Sequence, residues 1–104
     1  MQDSLFEIPT PLGFSVRTTS QYWKLILRKH PEITGKESAI QECLRRPEQV
    51  RHSKQDRTVY LFYALDPPYY VVVVAKRLNG EGFVITSYLS DTVKEGELVW
   101  PTSA

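Results

Sequence analysis

Two histidines, one cysteine and a scatter of hydroxyl side chains make up the reactive inventory of this 104-residue chain. His30 closes a stretch in which Trp23, Ile26, Leu27 and His30 fall at i, i+3, i+4 and i+7, one stripe of a helix. Arg51 lies in a short extended piece after Pro47. Thr86 and Tyr88 stand two apart in an apolar run, so they share one face of a strand, with Ser87 opposing them. A histidine, an arginine and a pair of hydroxyls are the parts needed to cleave RNA without a metal. A base takes the proton of the 2′-hydroxyl, an acid returns one to the leaving oxygen, and a cation holds the charge on the phosphorane. His30, with an ordinary pKa of about 6.5, suits either the base or the acid. Arg51 can clamp a phosphate through two parallel bonds. Thr86 and Tyr88 can donate to its oxygens, and Tyr63 offers a proton or a stacking surface.

Each residue also has a plainer use. A histidine at a helix end caps or packs, an arginine at 51 pairs with Glu48 or Asp56, and threonine and tyrosine are ordinary strand residues. Other chemistries have less support. The chain contains no glycine-rich phosphate loop, no G-x-S-x-G elbow and no H-E-x-x-H. Neither His30 nor His52 has a second metal ligand at usable spacing, so neither a metal nor a cofactor is expected. Cys43 falls on the apolar stripe of a helix, where a thiol packs rather than attacks.

The elements that must position these groups are legible in outline. Thr58–Ala64, Tyr69–Ala75 and Phe83–Leu89 are rich in β-branched and aromatic residues, with Pro and Gly only between them, as in consecutive antiparallel strands. Four successive valines, Val71 to Val74, predict a central strand covered on both faces. Asn79-Gly80 predicts a type I′ hairpin. Two helices are expected upstream, Thr18–His30 and Thr34–Arg45, each opened by a capping-box spacing (Thr18 with Gln21, Thr34 with Glu37) and followed by a proline. The second buries Ile40, Cys43 and Leu44. Arg45 and Arg46 close it, where the helix dipole favours cations. Residues 47–53 read as a turn followed by a short extended piece, and alternation carried on to Lys54 places Arg51 and Ser53 on one face and His52 and Lys54 on the other. Residues 54–57 close a hairpin loop. Leu5–Ile8 and Phe14–Val16, around Pro9 and Pro11, suggest a loose hairpin or an edge strand. Leu98–Trp100 is expected to fold back onto the body.

The expected fold is therefore α+β: two N-terminal helices packed on a twisted antiparallel sheet of about four strands. The chain is expected to form a single domain over 1–104, divided into a β element (1–17), helices (18–46), sheet (48–89) and tail (90–104). Formal charge is +1 overall but +5 over residues 17–57, with −2 on either side. Lys24 and Arg28, four apart on the first helix, and Lys54 beyond Arg51 extend a basic surface suited to an anionic partner. A single cysteine fits a reducing compartment, and no run approaches the roughly 20 apolar residues that span a bilayer, so a cytoplasmic protein without a membrane partner is expected.

Taken together, Trp23, His30-Pro31-Glu32, the short helix, Pro47-Glu48-Gln49-Val50-Arg51-His52-Ser53, the valine run and Phe83-Val84-Ile85-Thr86-Ser87-Tyr88 resemble the small phage-associated nuclease-like domains of the barnase–EndoU–colicin–RelE superfamily. The resemblance covers roughly residues 20 to 100. It implies a helical part on a four-stranded antiparallel sheet, with a metal-independent ribonuclease site on the open face. The family pattern maps onto His30, Arg51, Ser53, Tyr63, Thr86 and Tyr88. It further implies a toxin that cleaves mRNA or tRNA and is held in check by an antitoxin protein. The competing expectation is a non-catalytic RNA- or protein-binding module on the same fold.

Overall fold

The computed structural model describes residues 4–93 and 96–102. Seven strands form one sheet: β1 (Ser4–Pro9), β2 (Ser15–Thr19), β3 (Gln49–His52), β4 (Val59–Asp66), β5 (Tyr69–Leu78), β6 (Glu81–Ser90) and β7 (Leu98–Trp100). Two helices, α1 (Ser20–Lys29) and α2 (Glu37–Arg45), lie between β2 and β3, with a single 3-10 turn at Pro31–Ile33. The strand order is β1-β2-β6-β5-β4-β3-β7, and the β2/β6 pair is parallel. The architecture is α+β, but the expected four-stranded antiparallel sheet is wrong in count and in kind. The β3-β4-β5-β6 meander is present. The residues read as a loose hairpin extend it beyond β6, and Leu98–Trp100 adds a strand beyond β3. The β1–β2 hairpin itself is local, as expected, but its joining to β6 and the docking of Leu98–Trp100 on β3 are pairings between segments distant in sequence.

Local chemistry accounts for the turns. Asn79 (φ 53°) and Gly80 (φ 80°) supply the two positive φ values of the β5–β6 turn. Pro67-Pro68 fill the two positions between Asp66 and Tyr69, which face each other across β4 and β5. α1 is capped by Thr19, not Thr18: the Thr19 hydroxyl accepts from the Tyr22 amide at 3.1 Å. Thr18 is instead a buried residue of β2. The second capping box also fails, because the chain makes a 3-10 turn at Pro31–Ile33 and α2 starts at Glu37 without a side-chain cap.

One face of the sheet carries the core. Phe6, Ile8, Val16, Val50, Phe62, Val71, Val73, Ala75 and Val84 meet Trp23, Ile26, Ile33, Ile40, Cys43 and Leu44 from the helical layer. Ile40, Cys43 and Leu44 are fully buried, so the narrow stripe of α2 is what fastens it to β4 and β5. The Cys43 thiol donates to the Val71 carbonyl at 3.7 Å. Trp23 meets Phe6 edge-on at 5.9 Å, and the Tyr22 hydroxyl donates to the Ile85 carbonyl at 2.8 Å, which ties α1 to the side of β6. Val71 and Val73 face the helical layer, and Val72, on the opposite face of the sheet, is fully buried as well although neither α1 nor α2 covers it. Among the described residues no helix is long and apolar enough to cross a membrane.

Candidate functional site

Strand register decides which side chains face away from the helices. Arg51 pairs with Leu61, Leu61 with Val74 and Val74 with Thr86, one continuous row across four strands. Gln49, Tyr63, Val72 and Tyr88 form the adjacent row. Both rows alternate with core residues, so both lie on the open face. Arg51, Tyr63, Thr86 and Tyr88 therefore do share one surface.

His30 joins them from the side. α1 ends at Lys29, and the His30 amide closes it by donating to the Ile26 carbonyl at 2.8 Å. The imidazole then lies 5.8 Å, centroid to centroid, from the Tyr88 ring. Its Nδ1 is 3.3 Å from a carboxylate oxygen of Glu32, which leaves Nε2 as the ring nitrogen not facing that carboxylate. Burial, and secondarily the neighbouring Tyr63 phenol, raise the Tyr88 pKa above the usual tyrosine value. Tyr88 is thus a neutral donor at physiological pH. Tyr63 is itself almost wholly buried (1% exposed), with Tyr70 edge-on at 6.4 Å. That suits a fixed hydroxyl better than a stacking surface.

Arg51 is placed differently from the expectation of one convergent site. Three strand spacings separate it from Thr86, about 14 Å along the sheet. Its guanidinium donates from Nε to the Gln49 side-chain oxygen (2.7 Å) and from Nη1 to the Gly96 carbonyl (2.7 Å), and not to Glu48 or Asp56. Arg51, Ser53, Lys54 and Tyr63, with Leu61, line a groove of about 410 Å³. Ser53 follows the last residue of β3, and its hydroxyl accepts from the Gln55 amide. Lys54 lies in the β3–β4 loop, not on the strand where alternation placed it. The arrangement is two clusters, His30 at the end of α1 with Thr86 and Tyr88 of β6, and Arg51, Ser53 and Lys54 on and beside β3, with Tyr63 of β4 between them. Lys24 and Arg28 are exposed on α1 and belong to neither cluster.

Asp56 is occupied structurally: the Thr58 hydroxyl and amide both donate to it and, with Lys76 at 3.4 Å, depress its pKa. The Cys43 pKa is raised far above the ordinary thiol value, chiefly by burial and then by Glu48, so Cys43 is unreactive as expected. Among the described residues no three His, Cys, Asp or Glu side chains gather where they could hold a metal ion.

Sequence reasoning missed what fills the rest of this face. A β-bulge interrupts the β5/β6 register: Val74 faces Thr86 but Ala75 faces Val84, which leaves Ile85 as the extra residue. Phe83 and Thr86 are an odd number apart and would oppose each other in a regular strand. The bulge returns Phe83, opposite Lys76, to the face of Thr86 and Tyr88. No local sequence signal marks it. Comparison with protein-family models, with curated proteins and with solved structures gave no significant match.

Proposed function

We propose that this protein is a metal-independent ribonuclease, cutting RNA by attack of the 2′-hydroxyl on the adjacent phosphorus. The observation that carries the reading is the His30 imidazole, braced by Glu32, set against Tyr88 on the sheet face that also holds Thr86, Tyr63 and Arg51. In this scheme His30 takes the 2′-hydroxyl proton as the 2′-oxygen bonds to phosphorus. Tyr88 and Thr86 donate hydrogen bonds to the phosphorane oxygens, and the P–O5′ bond breaks to leave a 2′,3′-cyclic phosphate. The leaving 5′-oxygen takes its proton back from the protonated His30. Arg51 and Lys54 hold a flanking phosphate. The biological form of this activity is a cytoplasmic toxin acting on mRNA or tRNA and restrained by a cognate antitoxin protein.

The test is incubation of purified protein with RNA in excess chelator, with analysis of the ends produced. Cyclic phosphate termini that disappear in His30→Ala support the reading. RNA left intact both with and without added divalent ions refutes it. One observation favours the alternative, a non-catalytic RNA- or protein-binding module: two donors of Arg51 are already engaged by Gln49 and Gly96. A binding module is tolerated on expression, whereas an active toxin arrests growth unless its partner is supplied.

A further inference from the structure

β2 and β6 run side by side for only two residues, Val16 and Arg17 against Gly82 and Phe83, before β2 turns into α1. Where they part, a cleft of about 650 Å³ opens, and Glu7, Arg17, Thr18, Tyr22, Phe83 and Ile85 line it. Its floor is a mixed aromatic and cationic surface. The Arg17 guanidinium lies 4.7 Å from the centroid of the Phe83 ring, and Phe83 itself is half-buried. Tyr22 is held rigid by its bond to the Ile85 carbonyl, and Ile85 is the bulged residue. The Thr18 hydroxyl, which has no hydrogen-bond partner among the described residues, is buried beside it. The row of Glu7, Arg17 and Phe83 lies one row below Thr86 on the same face, two residues along the strand or roughly 7 Å.

We propose that this cleft binds an unpaired nucleobase of the RNA strand whose backbone crosses Thr86 and Tyr88. The proposal rests on the ribonuclease reading and adds to it the place where the neighbouring base goes. Bases of single-stranded RNA are recognised by stacking on aromatic rings and on arginine planes, and here the Arg17 guanidinium, 3.7 Å from the Glu81 carboxylate, lies over the Phe83 ring, so that the base stacks on the outer face of this pair. The Glu7 carboxylate repels a phosphate but accepts from base N–H groups, so the base, not the backbone, enters the cleft. The displacement from the Thr86 row is close to the step of one nucleotide in an extended strand. A β-bulge beside such a site has a mechanical reason: without it Phe83 would face the core.

The test uses the full chain and short fluorescent 2′-O-methyl RNA, whose blocked 2′-oxygen prevents cleavage, followed by anisotropy and by backbone amide shifts in NMR. Phe83→Leu keeps an apolar side chain of similar bulk but removes the ring on which the Arg17 plane rests, and is expected to weaken binding about ten-fold. A ribose-phosphate chain lacking bases is expected to bind weakly and equally to both proteins. Amide shifts are expected at Arg17, Phe83 and Ile85. If Phe83→Leu leaves binding unchanged while Arg51→Ala weakens it, the inference is overturned with the ribonuclease reading intact, and the cleft is left to a polypeptide partner. If no oligonucleotide binds the wild-type chain at all, both fall together.

Discussion

Gly96 is the point at which the chain after β6 is fastened to Arg51, and replacing it by alanine tests that fastening. A Cβ at Gly96 would sit 2.5 Å from the His52 carbonyl oxygen, a backbone atom, and must retreat by about 0.9 Å to reach ordinary contact at 3.4 Å. The same backbone makes two bonds that tolerate no such retreat. The His52 amide donates to the Glu97 carbonyl at 2.9 Å, and Arg51 donates to the Gly96 carbonyl at 2.7 Å. Stretched by that amount, both pass beyond useful hydrogen-bond length. A bond from a charged donor contributes ~1.5–3 kcal/mol and a backbone bond about 1 kcal/mol, with water recovering part at this half-exposed edge. The expected loss is therefore about 2 kcal/mol. With an unfolding entropy of roughly 0.2 kcal/mol per degree for a chain of this length, the melting temperature falls by about 10 °C. Thermal unfolding followed by circular dichroism reads this directly. In an Arg51→Ala background the cost of Gly96→Ala should shrink by at least 1 kcal/mol, since one bond is already gone. A fall of less than about 2 °C, or strict additivity of the two substitutions, refutes the reasoning.

His30→Ala should lower RNA cleavage by about 10²–10⁴-fold, the usual contribution of one proton-transfer group, while leaving 2′-O-methyl RNA binding within a few-fold; equal loss of both would mean that His30 binds and does not catalyse. Tyr88 titrates above the free tyrosine value. The stability it contributes is thus complete up to about pH 10, where the unfolded chain starts to ionise, and declines as pH rises from there through the folded pKa. The phenolate absorbance difference between the wild type and Tyr88→Phe locates that pKa, and a midpoint at or below pH 10 contradicts the burial argument. Asp56 has the opposite sign: its depressed pKa stabilises the fold above the ordinary carboxylate range, and that benefit is lost as the solution is acidified. Urea unfolding at neutral and acidic pH should therefore show Asp56→Asn costing stability only at neutral pH. Leu44→Ala should cost about 2–5 kcal/mol, since the side chain is fully buried between α2 and the sheet, and a midpoint shift below 1 kcal/mol would mean that α2 packs loosely.

How much of this was readable in advance follows from where the information lies. The meander was readable because its signals are local: runs of β-branched residues, and Asn79-Gly80 with φ positive at both positions. Alternation placed Arg51 on one face with Ser53, and Thr86 with Tyr88. The joining of β1-β2 to β6 was not readable, because a two-residue parallel pairing between positions 16–17 and 82–83 leaves no trace in either segment. Neither was the spread of the site. The sequence supplies residue types, but only the order β6-β5-β4-β3 sets Arg51 three strands from Thr86. The choice of Thr19 over Thr18 as cap follows from β2, which claims Thr18 for pairing with Phe6. The bulge at Ile85 was invisible for a related reason: an apolar run with one extra residue looks like a longer strand.

Cys43 has a practical consequence for all of these experiments. As the chain's one cysteine, with its thiol sealed under α2 and held protonated, it gives no background to maleimides or disulfide-exchange reagents. A cysteine introduced at an exposed position such as Leu25 or Leu78 then becomes the sole point of attachment for a probe or a tethered oligonucleotide. The native protein arrives ready for such labelling, with no residue that first has to be removed.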